Sequence, residues 1–215
     1  MPRTAIACPP VFGVLANAGE QTPAWYADCV ELSLGCFWEG AQSLPVESGT
    51  VRVGSAPEGL AFYLSYQDSD IFSTATADQQ KMWTLGDVAE LFIKPGTDRP
   101  DYWEIHVTPN DFLMDIYIPH RERFMGGEIT WEEVIAPASG TQRRVTVSDG
   151  SWSVEALVPW EAFALDSAPA AGAVWQFAAC RYNCNGGLEN PELSSTAHYT
   201  KASFHRFEEF TDLVF

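Results

Sequence analysis

The segment 86–110, GDVAELFIKPGTDRPDYWEIHVTPN, constrains the fold more than any other part of the chain. Two runs of period two flank a stretch rich in Pro, Gly and Asp, a pattern that predicts two strands joined by an extended hairpin loop. Successive side chains of a strand point to opposite faces. On the first strand Ala89, Leu91 and Ile93 therefore share one face and Val88, Glu90 and Phe92 the other; on the second, Trp103, Ile105 and Val107 oppose Tyr102, Glu104 and His106. Pairing the two more apolar faces places Glu90, Glu104 and His106 together.

The same alternation recurs. In GLAFYLSYQD, Leu60, Phe62, Leu64 and Tyr66 face one way, and the run ends in the acidic stretch Asp68, Ser69, Asp70. SWSVEALVPWEAF reads as a strand running into Pro159 at the first turn of a short helix, AVWQFAACRYN as another strand, and SFHRFEEFTDLVF as a tail closing on a final strand. The 16 Gly and 14 Pro fall between these runs as turn residues. Long amphipathic helices, which a parallel α/β fold needs, are not found. The prediction is an all-β fold, an antiparallel, jelly-roll-like β-sandwich with a few short helices, as one domain over residues 1–215. Trp103, Trp152 and Trp175 occupy apolar-face positions in strands and Trp160 begins a packed helix, so these four belong to the core. Segments 8–29 and 184–203 read as loops.

Charge narrows the partners. Twelve Lys and Arg against 29 Asp and Glu leave a formal net charge of −17, a field that repels phosphate backbones and anionic lipid surfaces. Nucleic acid and membrane are therefore not expected as partners, and no apolar run approaches the roughly 20 residues that span a bilayer. The start MPRTAIACPPVFG lacks a basic segment followed by an apolar one, which points to the cytoplasm, with an extracellular or periplasmic location as the alternative. The five cysteines (Cys8, Cys29, Cys36, Cys180, Cys184) are odd in number and lie at no zinc spacing; they read as reduced, partly buried thiols.

Five segments in this order resemble family 9 carbohydrate-binding modules, within the wider DOMON-like β-sandwich group: WTLGDVAELF (83–92), YWEIHVTPN with Asp115 after it, VEALVPW, WQFAACR and FHRFEEFTDLVF. The resemblance covers about residues 45–215. It implies a non-catalytic sandwich with structural calcium, holding a mono- or oligosaccharide between two aromatic side chains while polar residues read its hydroxyls, and often serving a glycan-degrading enzyme. Residue by residue, it implies Trp83 as one stacking aromatic and Phe204 as the second. Glu90 is implied as the carboxylate of the acidic strand, Glu104 and His106 as polar positions on the next strand, and Arg181 as a ligand-side group at the end of the penultimate strand. Asp68, Asp70 and Asp87 are the carboxylates available to calcium. The residue types suit the task, since a pyranose shows C–H groups on its faces and hydroxyls around its rim.

Each assignment has a plainer counterpart. Phe204 also suits the core, Glu90 and Glu104 a solvated strand face, His106 and His205 ordinary surface or core positions, Arg181 an ion pair within the acidic cluster, and the aspartates simple turns. Three other functions compete with sugar binding. A glycan-cleaving enzyme would use Glu90 and Glu104 as a carboxylate pair. A haem-binding DOMON-like domain would draw axial ligands from Met82, Met114, His106 and His120. A purely structural interaction domain is the third.

Overall fold

The computed structural model describes residues 3–16, 22–135 and 137–215. In chain order the strands among these residues are β1 (Ala5–Ala7), β2 (Leu32–Ser33), β3 (Gly49–Ser55), β4 (Gly59–Gln67), β5 (Val88–Lys94), β6 (Tyr102–Val107), β7 (Leu113–Ile118), β8 (Gln142–Ser148), β9 (Ser151–Pro159), β10 (Val174–Asn183), β11 (Glu192–Ser195) and β12 (Thr211–Val214). Two short helices, α1 (Arg121–Met125) and α2 (Trp131–Ile135), lie between β7 and β8. The strands form two sheets. The larger runs β1-β12-β10-β5-β6-β7, with β11 also paired to β10, and the smaller runs β2-β3-β4-β9-β8. The all-β sandwich is as predicted.

The hairpin forms with the register its pattern demands. Glu90 pairs with His106, Leu91 with Ile105 and Phe92 with Glu104. A slip of one residue would turn Leu91 and Ile105 out of the core and carboxylates into it, so burial fixes the register. Between the sheets, Ala89, Leu91 and Ile93 of β5 and Trp103, Ile105 and Val107 of β6 meet Leu60, Phe62, Leu64 and Tyr66 of β4 and Trp152 and Val154 of β9. Trp160 and Trp175 complete this cluster, and the four tryptophans assigned to the core are all in it. Trp103 and Trp160 satisfy their indole N–H groups on the backbone carbonyls of Ala162 (2.9 Å) and Ala56 (3.2 Å), as buried indoles must.

The large sheet is buried on its outer face as well. There Val88, Phe92, Tyr102, Met114, Ile116, Ala178 and Cys180 form a second cluster under α2 and the loop that follows β11. The outer face of the small sheet is covered by the N-terminal stretch, through Val11, Tyr26 and Cys29 on Ala61, Tyr63 and Leu157.

The strand pairings are antiparallel except at one edge, where β1 runs parallel to β12 and pairs Ile6 with Leu213. Two loop assignments are corrected. The stretch 184–203 is not all loop: β11 pairs with β10, placing Ser195 opposite Cys180, and its polar ELSS sequence hides an edge strand from a hydrophobic pattern. In the stretch 8–29, Ala24–Tyr26 forms one tight helical turn, and residues 17–21 lie outside the described residues. The five cysteines are free thiols, and all are buried more completely than expected.

Candidate functional site

The outer face of the large sheet opens into a cleft of about 360 Å³. Its floor is the alternating polar face of the hairpin, Glu90 and Phe92 from β5 and Glu104 and His106 from β6, with Ile116 from β7 and Tyr182 from β10 beside them. Trp83, Phe124, Trp131, Phe204 and His205 complete the walls. The volume and the mixture of aromatic walls with a few convergent polar groups are those of a small-molecule site.

Each wall is positioned locally. Trp83 sits in a single helical turn, Met82–Thr84, whose Met82 side chain is buried as an anchor. The chain leaves that turn through Gly86 at φ +142, where a Cβ would lie 2.4 Å from the Phe72 carbonyl oxygen, so only glycine permits the close approach that directs Trp83 over the sheet. Trp131 is the first residue of α2. Thr130 and Glu133 cap that helix reciprocally, the Thr130 N–H donating to Glu133 at 2.7 Å and the Glu133 N–H to the Thr130 hydroxyl at 3.3 Å, while Val134 docks the helix in the outer-face cluster. The rings of Trp83 and Trp131 meet edge to face, 5.9 Å apart at 72°. They form a corner, both half-buried, and each leaves aromatic surface toward the cleft.

The polar floor is buried and incompletely satisfied. Glu90, Glu104 and His106 are each 2% exposed. His106 stands between the two carboxylates, Nδ1 3.1 Å from Glu90 and Nε2 3.5 Å from Glu104, yet neither contact is aligned as a hydrogen bond, and both ring nitrogens and Glu104 Oε1 lack a partner. His205 Nδ1 lies 2.9 Å from that oxygen, but its aligned partner is the Tyr102 hydroxyl at 3.1 Å. Burial pushes the Glu90 carboxyl up to about 7, reinforced by the Glu104 charge and opposed by His106 and His205. Burial would raise Glu104 too, but the charges of His205 and His106 and their contacts hold it well below the ordinary carboxylate range. His205 is correspondingly raised: burial alone would lower it, and the Glu104 carboxylate reverses the sign. Buried polar groups without partners are costly and rare. Here the atoms are sealed beneath the cleft surface, where contacts of 2.9 to 3.5 Å link the two histidines to the two carboxylates.

Of the residues singled out in the sequence, Trp83, Glu90, Glu104, His106 and Phe204 all line this cleft. Phe204 is 5% exposed and packed among Phe92, Tyr182, Tyr199 and Trp38, so it is a wall set in the core and not a free platform. Trp131, Phe124, Tyr182 and His205 were missed. The capping pattern T-x-x-E at 130–133 signals the helix that carries Trp131, and Tyr182 follows from the parity of β10, two residues beyond Cys180.

Arg181 is corrected. Strand parity turns it to the opposite face of β10 from Cys180 and Tyr182, into the space between the sheets. There it is fully buried, donating to Asp68 at 2.9 Å and to the Gln67 carbonyl at 2.9 Å, over the ring of Tyr66 at 5.0 Å. Its role is the ion pair with the acidic cluster.

The calcium assignment does not fit the donor set. Asp68 accepts from the Asp70 N–H, the Trp152 indole N–H and Arg181. Asp87 accepts the backbone N–H groups of Phe72 at 2.7 Å and Cys184 at 2.8 Å, and Asp70 is exposed. The carboxylates are satisfied by protein donors, with the Arg181 guanidinium supplying the positive charge. Among the described residues no group of three or more His, Cys, Asp or Glu side chains is placed to hold a metal ion. Of the four side chains considered for haem, only His106 lines the cleft; Met82 and Met114 are wholly buried, and His120 contacts Glu122 outside it.

No protein-family model matches the chain, and no curated protein sequence matches it. Solved structures do. A candidate carbohydrate-binding protein from Bacteroides uniformis superposes with a TM-score of 0.69 at 14% identity, over 99% of both chains. A family 9 carbohydrate-binding module from Caldicellulosiruptor kristjanssonii in complex with cellotriose gives 0.61 at 10% identity, over 99% of this chain and 93% of that one. A family 9 module from the same organism, in complex with glucose, gives 0.59 at 9% identity, over 99% and 94%. The fold is that of the family 9 carbohydrate-binding modules. At these identities the likeness establishes the fold alone.

Proposed function

We propose that the protein binds carbohydrate without cleaving it, holding a small sugar or a glycan chain end in the cleft above β5 and β6. The observation that carries this reading is a cleft of about 360 Å³ in which Glu90, Glu104, His106 and His205 lie beside the indoles of Trp83 and Trp131. A pyranose offers both parts a partner: hydroxyl donors and acceptors for the floor and C–H faces for the indoles. The fold shared with modules that were crystallised with cellotriose and glucose supports the same ligand class. The test is calorimetric titration of wild type and Trp83→Ala with gluco-, galacto- and manno-configured monosaccharides and short β-linked oligosaccharides. Saturable binding lost in the variant is expected; absence of binding to every sugar would sink the reading.

A glycan-cleaving reading is favoured by one observation, the opposite displacement of the Glu90 and Glu104 carboxyls, which is the usual sign of an acid and base pair. Against it, Glu104 is engaged by two histidines. Product release from any glycan that disappears in Glu90→Gln would establish turnover in place of simple binding.

A further inference from the structure

Helix α1 carries one wall of the cleft, yet its own sequence seats it poorly. Its five residues, Arg121–Met125, make little more than one turn, a length that does not hold helical structure alone. The pair Gly126–Gly127 ends it. None of the five residues is buried, and His120 at its start makes no side-chain cap. A helix at the surface is ordinarily held by a buried apolar face, as α2 is by Val134; α1 has no such face. Its Phe124 nevertheless lines the cleft and meets the Trp131 ring at 6.3 Å.

Arg121 supplies the missing anchor. Its Nη1 donates to the His205 carbonyl at 2.9 Å and to Glu208 at 2.6 Å, and its Nη2 donates to Glu122 at 3.0 Å. The guanidinium lies over the Phe207 ring at 4.0 Å, and that ring packs edge to face on Tyr102 of β6 at 6.0 Å. Among the described residues, every polar contact that ties the stretch 120–129 to another part of the chain starts from Arg121. The segment it reaches is itself a wall of the cleft, and His205 there lies 2.9 Å from Glu104 in the floor. Arg121 thus joins two walls whose residues are 84 apart in sequence. An exposed ion pair alone contributes little. Here a planar guanidinium, 22% exposed, serves a carboxylate and a backbone carbonyl while stacked on a ring, which a lysine cannot reproduce.

We propose that Arg121 is a positioning residue for ligand binding: it fastens α1 to the segment 205–208 and so holds Phe124 in place as a wall of the cleft. The inference rests on the carbohydrate-binding reading of the same cleft and adds a residue that governs affinity from outside the cleft lining. Without the guanidinium the α1 wall is loose, and binding must order it, with a loss of affinity.

The experiment is calorimetric titration of the full chain with gluco-, galacto- and manno-configured monosaccharides and short β-linked oligosaccharides. It is run on wild type, Arg121→Ala, Phe124→Ala and the double variant, with urea denaturation of each. Arg121→Ala is expected to weaken the sugar that wild type binds best by about fivefold to tenfold, with little change in urea midpoint, because no buried residue of α1 is disturbed. The double variant is expected to bind about as weakly as the weaker single variant, since Arg121 has nothing left to place once the Phe124 ring is gone. General loss of folded protein does not produce that coupling. Arg121→Lys keeps the charge and loses the fork; it should bind with intermediate affinity, and it carries the same cycle if Arg121→Ala fails to fold. Arg121→Ala binding as tightly as wild type would overturn the inference and leave carbohydrate binding standing. Losses that add in full between Arg121→Ala and Phe124→Ala would also overturn it, as would a fall in urea midpoint as large as that of Phe204→Ala, which would make Arg121 a general brace of the fold. Wild type binding no sugar would overturn both readings.

Discussion

Arg181 Nη2 lies 2.9 Å from Asp68 Oδ2, and both side chains are sealed between the two sheets at 0% exposure. The pair joins β10 of the large sheet to the end of β4 in the small one, and Arg181 Nη1 donates to the Gln67 carbonyl and the Glu47 carbonyl. A buried ion pair of this kind is held in place more by the penalty for breaking it than by its net attraction. Removing one partner strands the other in a medium that cannot solvate it.

Arg181→Met is therefore expected to cost about 3–5 kcal/mol, the range for orphaning one member of a buried pair. Urea denaturation measures the loss. Sugar affinity of the fraction that remains folded should be unchanged, because the guanidinium is on the far side of the sheet from the cleft. A variant as stable as wild type, or one that folds normally and fails to bind, would contradict this assignment.

Calcium is expected to leave thermal stability unchanged. Asp68 and Asp87 already accept protein hydrogen bonds, and Arg181 provides the local positive charge, so a cation binding only the native state, which would raise the melting temperature by mass action, finds no open ligand set. Melting curves with added calcium and with a chelator should coincide; a rise with calcium would show that the aspartates rearrange around a metal.

The walls of the cleft should separate by burial. Trp83→Ala and Trp131→Ala remove half-exposed indole surface and are each expected to weaken sugar binding about tenfold or more with little loss of stability. Phe204→Ala, in contrast, opens a hole in the outer-face cluster and is expected to destabilise by about 3 kcal/mol or more. Paired titrations and denaturation curves on the three variants distinguish platform from core.

Stability should fall as pH rises from about 4.5 toward 7. Glu90 is raised to about 7 and Asp87 to about 6, both chiefly by burial, so within this window the folded chain holds protons that the unfolded chain has released, and the slope of unfolding free energy with pH is negative. His205 is raised as well, and its contribution is likewise lost as pH climbs. Glu104, held low by its histidines, acts on the other side: its stabilisation is complete above the ordinary carboxylate range and is lost as pH falls toward about 2. Glu90→Gln should flatten the fall above about pH 4.5, by an amount on the order of 3 kcal/mol at most. Urea midpoints across this range in wild type and variant test the sign, and a stability that rises toward neutrality would refute it.

The period-two pattern of VAELFIK and YWEIHV determined by itself the hairpin, its register and the shared face of Glu90, Glu104 and His106, because burial of Leu91 and Ile105 admits one alignment only. The core tryptophans followed from the same parity. Three things were decided only by the tertiary structure. Arg181 belongs to the inner face because its strand parity is read against Ala89 and not against the resemblance. The second indole of the cleft, Trp131, comes from a five-residue helix far from the hairpin in sequence, brought over β7 by its own cap and by Val134. The acidic cluster carries an internal guanidinium where the resemblance implied a metal. A strand's alternation is a local property and is written in the residues themselves. Which loop folds back over a sheet, and which charge answers which, depends on long-range packing that no short window of sequence contains.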